Sequence, residues 1–244
     1  PPAGYETADF PSRPSNAQFH VFTRYAWDLE RGCAEAGGAL RPHIHTAATA
    51  RDMDVIRAVL GEEKINYLGY SYGSYLGAVY GSLFPERLDR SVLDSSVHPD
   101  RIWYRTWLAM APAYTDNVRR FAEWAVEEDR GLGGSAEEVR AAIEELADRL
   151  HDRPVGGVDR TVFDAYVGLH ARYQSSWDLF ADILVGLRAG GETAEEAAAA
   201  VAAILESLQG GRVGHAYHTI ACEADYPRGL GLYYRDMRWY REKH

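Results

Sequence analysis

Cysteine is scarce in this chain: Cys33 and Cys222 are the two it has in 244 residues, and they fall far apart. Two cysteines cannot define a disulfide framework, and without a CxxC pair or clustered His/Cys spacing they cannot define a zinc site. Three readings stay open: a bond between them, bonds to cysteines on another chain, or buried thiols. Long apolar runs are missing too. No stretch approaches the ~20 apolar residues of a membrane span, and the opening PPAGYETADFPSRPS matches neither a signal peptide nor a transit peptide, so an exported chain would have lost its signal. Basic runs are equally absent. Lys and Arg total 26 against 36 Asp and Glu, a net charge of −10, and no dense cluster offers a surface that tracks phosphates, which argues against nucleic acid as a partner. What is present suffices for a core, since 46 % of residues are apolar and 12 % aromatic, outside the composition of disordered chains.

Strand signals are the next scarcity. Ser15-Asn-Ala-Gln is a capping box, whose hydroxyl and amide satisfy orphan backbone groups at a helix start, and a helix is expected over 16–31. After Gly37-Gly38, Thr46 is expected to cap a second helix ended by Gly61, with Met53, Ile56 and Leu60 on one face. A short strand is expected over 64–68, a helix over 75–83 closed by Phe84-Pro85, and a second strand over 91–94. From Pro99 onward every periodic segment is helical: 104–129 as one or two helices interrupted near Pro112, then 159–170, 176–188 and 233–242. Further capping boxes, Ser135 with Glu138 and Thr193 with Glu196, open helices stopping near Leu150 and Gly210. The alanine-rich run ETAEEAAAAVAAILESL follows from helix propensity. Two strands do not finish a sheet, because an isolated pair is marginal and parallel strands need both faces covered. Completion by segments outside these residues is expected.

Gly69-Tyr70-Ser71-Tyr72-Gly73 fits G-x-S-x-G, the turn that presents the nucleophile of α/β-hydrolases. The nucleophile sits in a strained strand-to-helix turn, and side chains at the flanking glycines would strike the adjacent strand or helix. Three fixed positions arise readily by chance, so context carries the motif: the required strand precedes it, and the helix that follows has Gly77, Ala78 and Gly81 for close packing on a sheet. The rival reading is a glycine-rich turn with an ordinary serine; a phosphate loop would need GxGxxG or GxxxxGK[ST], which are absent. The Tyr72 backbone N–H is the expected oxyanion donor. A second donor should come from an upstream glycine-rich loop, but Gly37-Gly38 lies between two helices, the wrong place.

In this arrangement an acid and then a histidine follow the serine, each at the end of a later strand. The histidines after Ser71 are His98, His151, His170, His215, His218 and His244. None follows a strand with an acid on the strand before it, and all read as surface or lid histidines. Asp94 ends a strand and reads as a structural hydrogen-bonding group. The triad is incomplete within these residues.

The segment TARDMDVIRAVLGEEKINYLGYSYGSYLGAVYGSLFPERLDRSVLDSSVHPDRIWY resembles the central part of the secreted tripeptidyl aminopeptidases of actinomycetes, within the proline iminopeptidase-type family of α/β-hydrolase serine peptidases. The similarity extends through FPSRPSNAQFHVFTRYAWDLERGCAEAGG and, more loosely, to HTIACEADYP; Ser74 stands where threonine is common. The resemblance implies an α/β-hydrolase core, incomplete in residues 1–98, with an inserted all-helical cap over 99–244. It implies that the first strands and the oxyanion loop precede Pro1, that the acid and histidine follow His244, and that companion polypeptide segments complete the core. It implies a secreted serine exopeptidase with no metal and no organic cofactor, releasing short peptides, tripeptides by likeness, from substrates with a free N-terminus. Glu223 and Asp225 then become candidates to bind the substrate ammonium, against the plainer reading of solvated acids in an acidic protein, and Cys33 and Cys222 become candidates to bond cysteines outside the chain. Two rival functions stand beside this one: an esterase or other lidded hydrolase, and a non-catalytic fragment acting as a binding module.

Overall fold

The computed structural model describes residue 4 and residues 10–208, 215–223, 226 and 229–243. Among the described residues, helices α1 (Phe19–Gly37) and α2 (Thr46–Val59) are followed by β1 (Ile65–Tyr70), α3 (Tyr72–Leu83) and β2 (Leu88–Asp94). The rest is helical: α4 (Tyr104–Glu127), α5 (Ala136–Asp152), α6 (Arg160–His170), α7 (Trp177–Ala189), α8 (Gly191–Leu208), α9 (His215–Ala221) and α10 (Leu230–Lys243). Among the described residues no helix is long and apolar enough to cross a membrane.

β1 and β2 pair in parallel, with Tyr67 opposite Ser91, Leu68 opposite Val92 and Tyr70 opposite Asp94. The crossover between them is α3, as a parallel pair requires. Both strands are longer than the alternation predicts: β2 starts at Leu88, paired with Ile65, and passes through the polar Asp89 and Arg90 at an irregularity in the register. Strand faces that a parallel sheet buries lie open here: Leu68, Tyr70 and Val92 are each more than half exposed. The same is true of α2, where Ile56 and Leu60, expected on an inward face, stand uncovered beside Val55 and Val59.

The helical half has the opposite character. Phe121 of α4, Val139 and Leu150 of α5, Phe163 and Tyr166 of α6 and Phe180 of α7 are almost wholly buried and form one continuous core. Pro112 does not interrupt α4, which runs straight through it as one element. A proline deletes one backbone donor and crowds the preceding turn, so the helix is sustained by the packing of its apolar face. Ser135 caps α5 as its sequence predicts, accepting from the Glu138 N–H at 3.2 Å, while Glu138 accepts from the Gly134 N–H at 2.7 Å. α8 begins at Gly191, ahead of the expected cap at Thr193. Ser15 opens a helical segment with Gln18 folded back onto its N–H at 2.8 Å, although a short 3-10 turn precedes α1.

Thr46 has a different role from the expected cap. It is the first residue of α2, and the cap is His45, whose ring accepts from the Ala48 N–H at 3.2 Å. Freed from capping, the Thr46 hydroxyl is used elsewhere.

Candidate active site

Ser71 stands alone between the end of β1 and the start of α3, with φ 52° and ψ −119°. A non-glycine residue at positive φ is strained by roughly 1–3 kcal/mol and persists where its surroundings impose it. Here they do. The Ser71 N–H donates to the Asp94 carbonyl at 3.0 Å, tying the turn to the end of β2. Its carbonyl accepts from the Ser74 N–H at 2.9 Å and the Ser74 hydroxyl at 2.6 Å, and that hydroxyl in turn accepts from the Val97 N–H at 2.9 Å. Buried Ser74 thus clamps the turn to the chain leaving β2. The Ser71 side chain makes no capping bond to α3, and the residue is exposed to solvent.

The flanking glycines divide in their roles. A Cβ on Gly69 would lie 2.5 Å from the Gly73 carbonyl carbon and 2.6 Å from the Tyr67 ring, so only glycine fits. At Gly73 the nearest atom would be the Tyr67 hydroxyl at 3.6 Å, an ordinary contact. Gly77, in α3, meets Tyr67 and Leu93, a Cβ there falling 2.7 Å from the Tyr67 ring; it lets α3 lie against the strands. Tyr67 fills this space and donates to the Gly73 carbonyl at 2.5 Å.

Tyr72 is the first residue of α3, so its N–H is one of the helix-start donors without an intrahelical acceptor. Its side chain is held from two sides. The ring stacks on Trp103 at 5.2 Å and 26°, and Trp103 meets Tyr217 edge-on at 5.5 Å. The phenol bonds the Thr46 hydroxyl at 2.8 Å, and burial pushes it above the ordinary tyrosine range, with the Thr46 bond opposing and the Glu223 carboxylate adding to the rise. Trp103 is itself at φ 52°, and its indole N–H is buried without a partner.

Glu223 completes this network. One carboxylate oxygen accepts from the Thr46 N–H at 2.7 Å and the other from the Thr46 hydroxyl. A carboxylate on the exposed donors of a helix start is favourable on charge grounds as well. The residue proposed from sequence as a ligand for substrate is therefore linked, through Thr46, to the ring beside Ser71. Its companion candidate Asp225 lies outside the described residues. No signal near Thr46 announces this link: the partners are 26 and 177 residues away, and only the fold brings them together.

The histidines stand in varied places. His98 accepts from the Asp100 N–H at 3.2 Å and caps a 3-10 turn. His151 is exposed on α5. His170 is buried in the helical core, its ring 4.3 Å from that of Tyr166, with both nitrogens unpartnered; desolvation lowers its pKa. His218 packs edge-on against Tyr217, the side chain of His215 falls outside the described residues, and so does His244. Asp94 is exposed and accepts from the Ser95 hydroxyl at 2.9 Å. Among the described residues no group of three His, Cys, Asp or Glu is placed to hold a metal ion. A cavity of about 1290 Å³ lies between α4, α5, α6 and α10, lined in part by Trp107, Tyr114, Asp164 and Tyr240; Ser71 is not in its wall.

A parallel strand, a serine at positive φ and a helix packed through small residues make up the nucleophile turn of one fold family. The alpha/beta hydrolase fold family matches residues 8–182. The chain belongs to this family. Over 148 residues, 59 % of its length, this hydrolase-fold chain is 43 % identical to the tripeptidyl aminopeptidase of Streptomyces lividans, covering 28 % of that protein. The tripeptidyl aminopeptidase of Streptomyces coelicolor is matched at the same identity over 27 % of its length. The serine protease Hip1 of Mycobacterium tuberculosis is 34 % identical over 111 residues, 45 % of this chain and 21 % of that protein. The matched stretch of this alpha/beta hydrolase chain spans less than a third of these curated relatives.

Proposed function

We propose that the chain is part of a secreted serine exopeptidase that removes short peptides, tripeptides by its likeness to the Streptomyces enzymes, from substrates with a free N-terminus. The observation that carries this reading is the strained, exposed Ser71 between β1 and α3. In the proposed reaction the Ser71 hydroxyl oxygen attacks the scissile carbonyl carbon, and a histidine outside residues 1–244 takes the hydroxyl proton and passes it to the leaving amine. The Tyr72 N–H donates to the developing oxyanion, and water then cleaves the acyl-enzyme ester. Electrostatic stabilisation from one such donor is worth about 3–4 kcal/mol.

Residues 1–98 act in this reading as part of the hydrolase core and residues 99–244 as its helical cap. Companion polypeptide segments complete the core. The uncovered faces of β1, β2 and α2 support that reading, since a parallel sheet is stable only with both faces covered. Asp225 and Glu223 remain the proposed counter-charges for the substrate ammonium; Glu223 would act through a carboxylate already oriented by Thr46. A binding module is the second reading, favoured by the commitment of His98 and His170 to capping and core packing.

Fluorophosphonate labelling of the native preparation, with every co-purifying polypeptide retained, tests the proposal. The expected adduct maps to Ser71 and disappears in Ser71→Ala. No adduct with all companions present would overturn the serine-hydrolase reading in favour of the binding module. Hydrolysis of a free tripeptidyl amide but not of its N-acetylated form separates the exopeptidase from an esterase, which would accept a blocked ester.

A further inference from the structure

Helix α1 presents Glu30, Cys33, Ala34 and Gly37 along one stripe, since residues three and four apart on a helix are neighbours. That stripe is the one covered by the segment after α1. Arg41 makes a paired ion bridge to Glu30, with one guanidinium nitrogen 2.7 Å from its carboxylate, and a Cβ on Gly37 would touch the Arg41 Cβ at 3.0 Å. A groove of about 430 Å³ opens beside it, walled by Ala34, Arg41 and His45 on one side and by Thr219, Cys222 and Glu223 on the other. Glu223 is anchored on the first residue of α2, which fixes its neighbour Cys222 at this spot. Cys222 therefore meets the α1 stripe at this groove through Ala34, the chain neighbour of Cys33, although the two cysteines lie 189 positions apart in sequence by their numbers. Cys33 is half-buried, Cys222 is exposed, and both are free thiols, so neither is a buried core thiol. Desolvation and Glu30 push the Cys222 thiol up and Arg41 pulls it down, while Cys33 adds a further push, as two nearby sulfurs would.

We propose that Cys33 and Cys222 form an intramolecular disulfide that staples the segment carrying Glu223 onto α1. In an oxidising compartment the step is thiol–disulfide exchange with a low-molecular-weight disulfide such as oxidised glutathione. The thiolate of the exposed Cys222 attacks one glutathione sulfur, forming a mixed disulfide and releasing one glutathione thiolate. The Cys33 thiolate then attacks the Cys222 sulfur and releases the second. The two protons lost by the cysteines go to the two glutathione thiols, and the two electrons reduce the glutathione disulfide. The bond closes a long loop of chain, the case in which a crosslink restricts the unfolded state most. It also holds Glu223 against Thr46, and so steadies the Tyr72 side chain. The bond does not depend on whether Ser71 is a nucleophile.

The native protein, with all companion polypeptides, is incubated with oxidised glutathione, alkylated, digested without reduction and mapped. The expected result is one peptide pair joined through Cys33 and Cys222. Complete alkylation of both, or a bond from either to a third cysteine or to a second copy, overturns the proposal. Reduction should lower the thermal midpoint of the wild type by about 5–15 °C and leave the C33S/C222S variant unmoved. An equal response of both overturns the stapling role. Hydrogen exchange at the Thr46 amide, which donates to Glu223, should be slower in the oxidised wild type than in the reduced; equal rates would sever the link from the bond to Glu223.

Discussion

The parallel pair with α1–α3 and the helical half from α4 to α8 have similar apolar content to the eye but opposite burial. In the helical half Phe121, Phe163 and Phe180 are fully buried. Around the sheet, Val59 is 80 % exposed and Leu68 59 %. The same kind of side chain is core in one region and surface in the other. A helix pairs all its backbone groups internally except those of its first and last turns, so a helical bundle needs only side-chain packing and caps to bury its faces. A parallel sheet needs further strands beside it and helices over both faces, and contiguous apolar surface left without them marks an interaction surface. The region that holds Ser71 is thus the one with uncovered apolar faces.

The sharpest way to break this contrast is to truncate the same kind of residue on both sides. Phe121→Ala and Phe180→Ala should each cost about 3–5 kcal/mol in urea unfolding of the chain. Val59→Ser and Leu68→Ser should change stability by no more than about 0.5 kcal/mol in the chain alone. A loss of several kcal/mol at Val59 or Leu68 would mean those faces are covered in solution, and the contrast would collapse. A second test stays within the turn. Gly69→Ala, which drives a methyl into Gly73 and Tyr67, should cost about 1–3 kcal/mol and abolish fluorophosphonate labelling, whereas Gly73→Ala should retain stability to within about 1 kcal/mol. Equal effects would show that crowding does not distinguish them.

Ser71→Gly sharpens the comparison from the functional side. Glycine tolerates positive φ, so removing the side chain should raise stability by about 1 kcal/mol while eliminating the adduct. Unchanged or reduced stability would show that the turn is not strained. A smaller effect belongs to the helical half. Burial holds the His170 pKa below its ordinary value of 6.5, so the unfolded chain binds the proton first as pH falls. Its contribution to stability is complete above about pH 6.5 and is lost as pH falls from there toward the lowered folded value. In His170→Phe the thermal midpoint should fall less steeply over that interval; an identical slope would assign the acid sensitivity to other groups.

Much of this was legible in sequence where the signals are local. Ser135 and Glu138 announce the start of α5 because a capping box is complete within four residues. The G-x-S-x-G turn is legible because strand, serine and helix are contiguous. The errors fell where distant packing decides. Pro112 reads as an interruption that leaves one helix or two, and the structure has one, α4, continuing through it. Thr46 reads as a cap, yet His45 caps and Thr46 is drawn into bonds with Tyr72 and Glu223. Trp103 carried no signal, because its stacking on Tyr72 and its positive φ belong to the way the chain turns into α4.

The sequence by itself determined most of the helices, though not α9, both strands, and which serine sits between β1 and α3. These are properties of periodicity, capping and backbone sterics within a few residues. Only the tertiary structure decided that Thr46 joins Glu223 to the ring beside Ser71, and that Cys222 comes to a groove walled by Ala34 of α1. It also decided which apolar faces stay uncovered. Each of these depends on segments brought together across the chain, and the bonds they form have no counterpart in the local pattern.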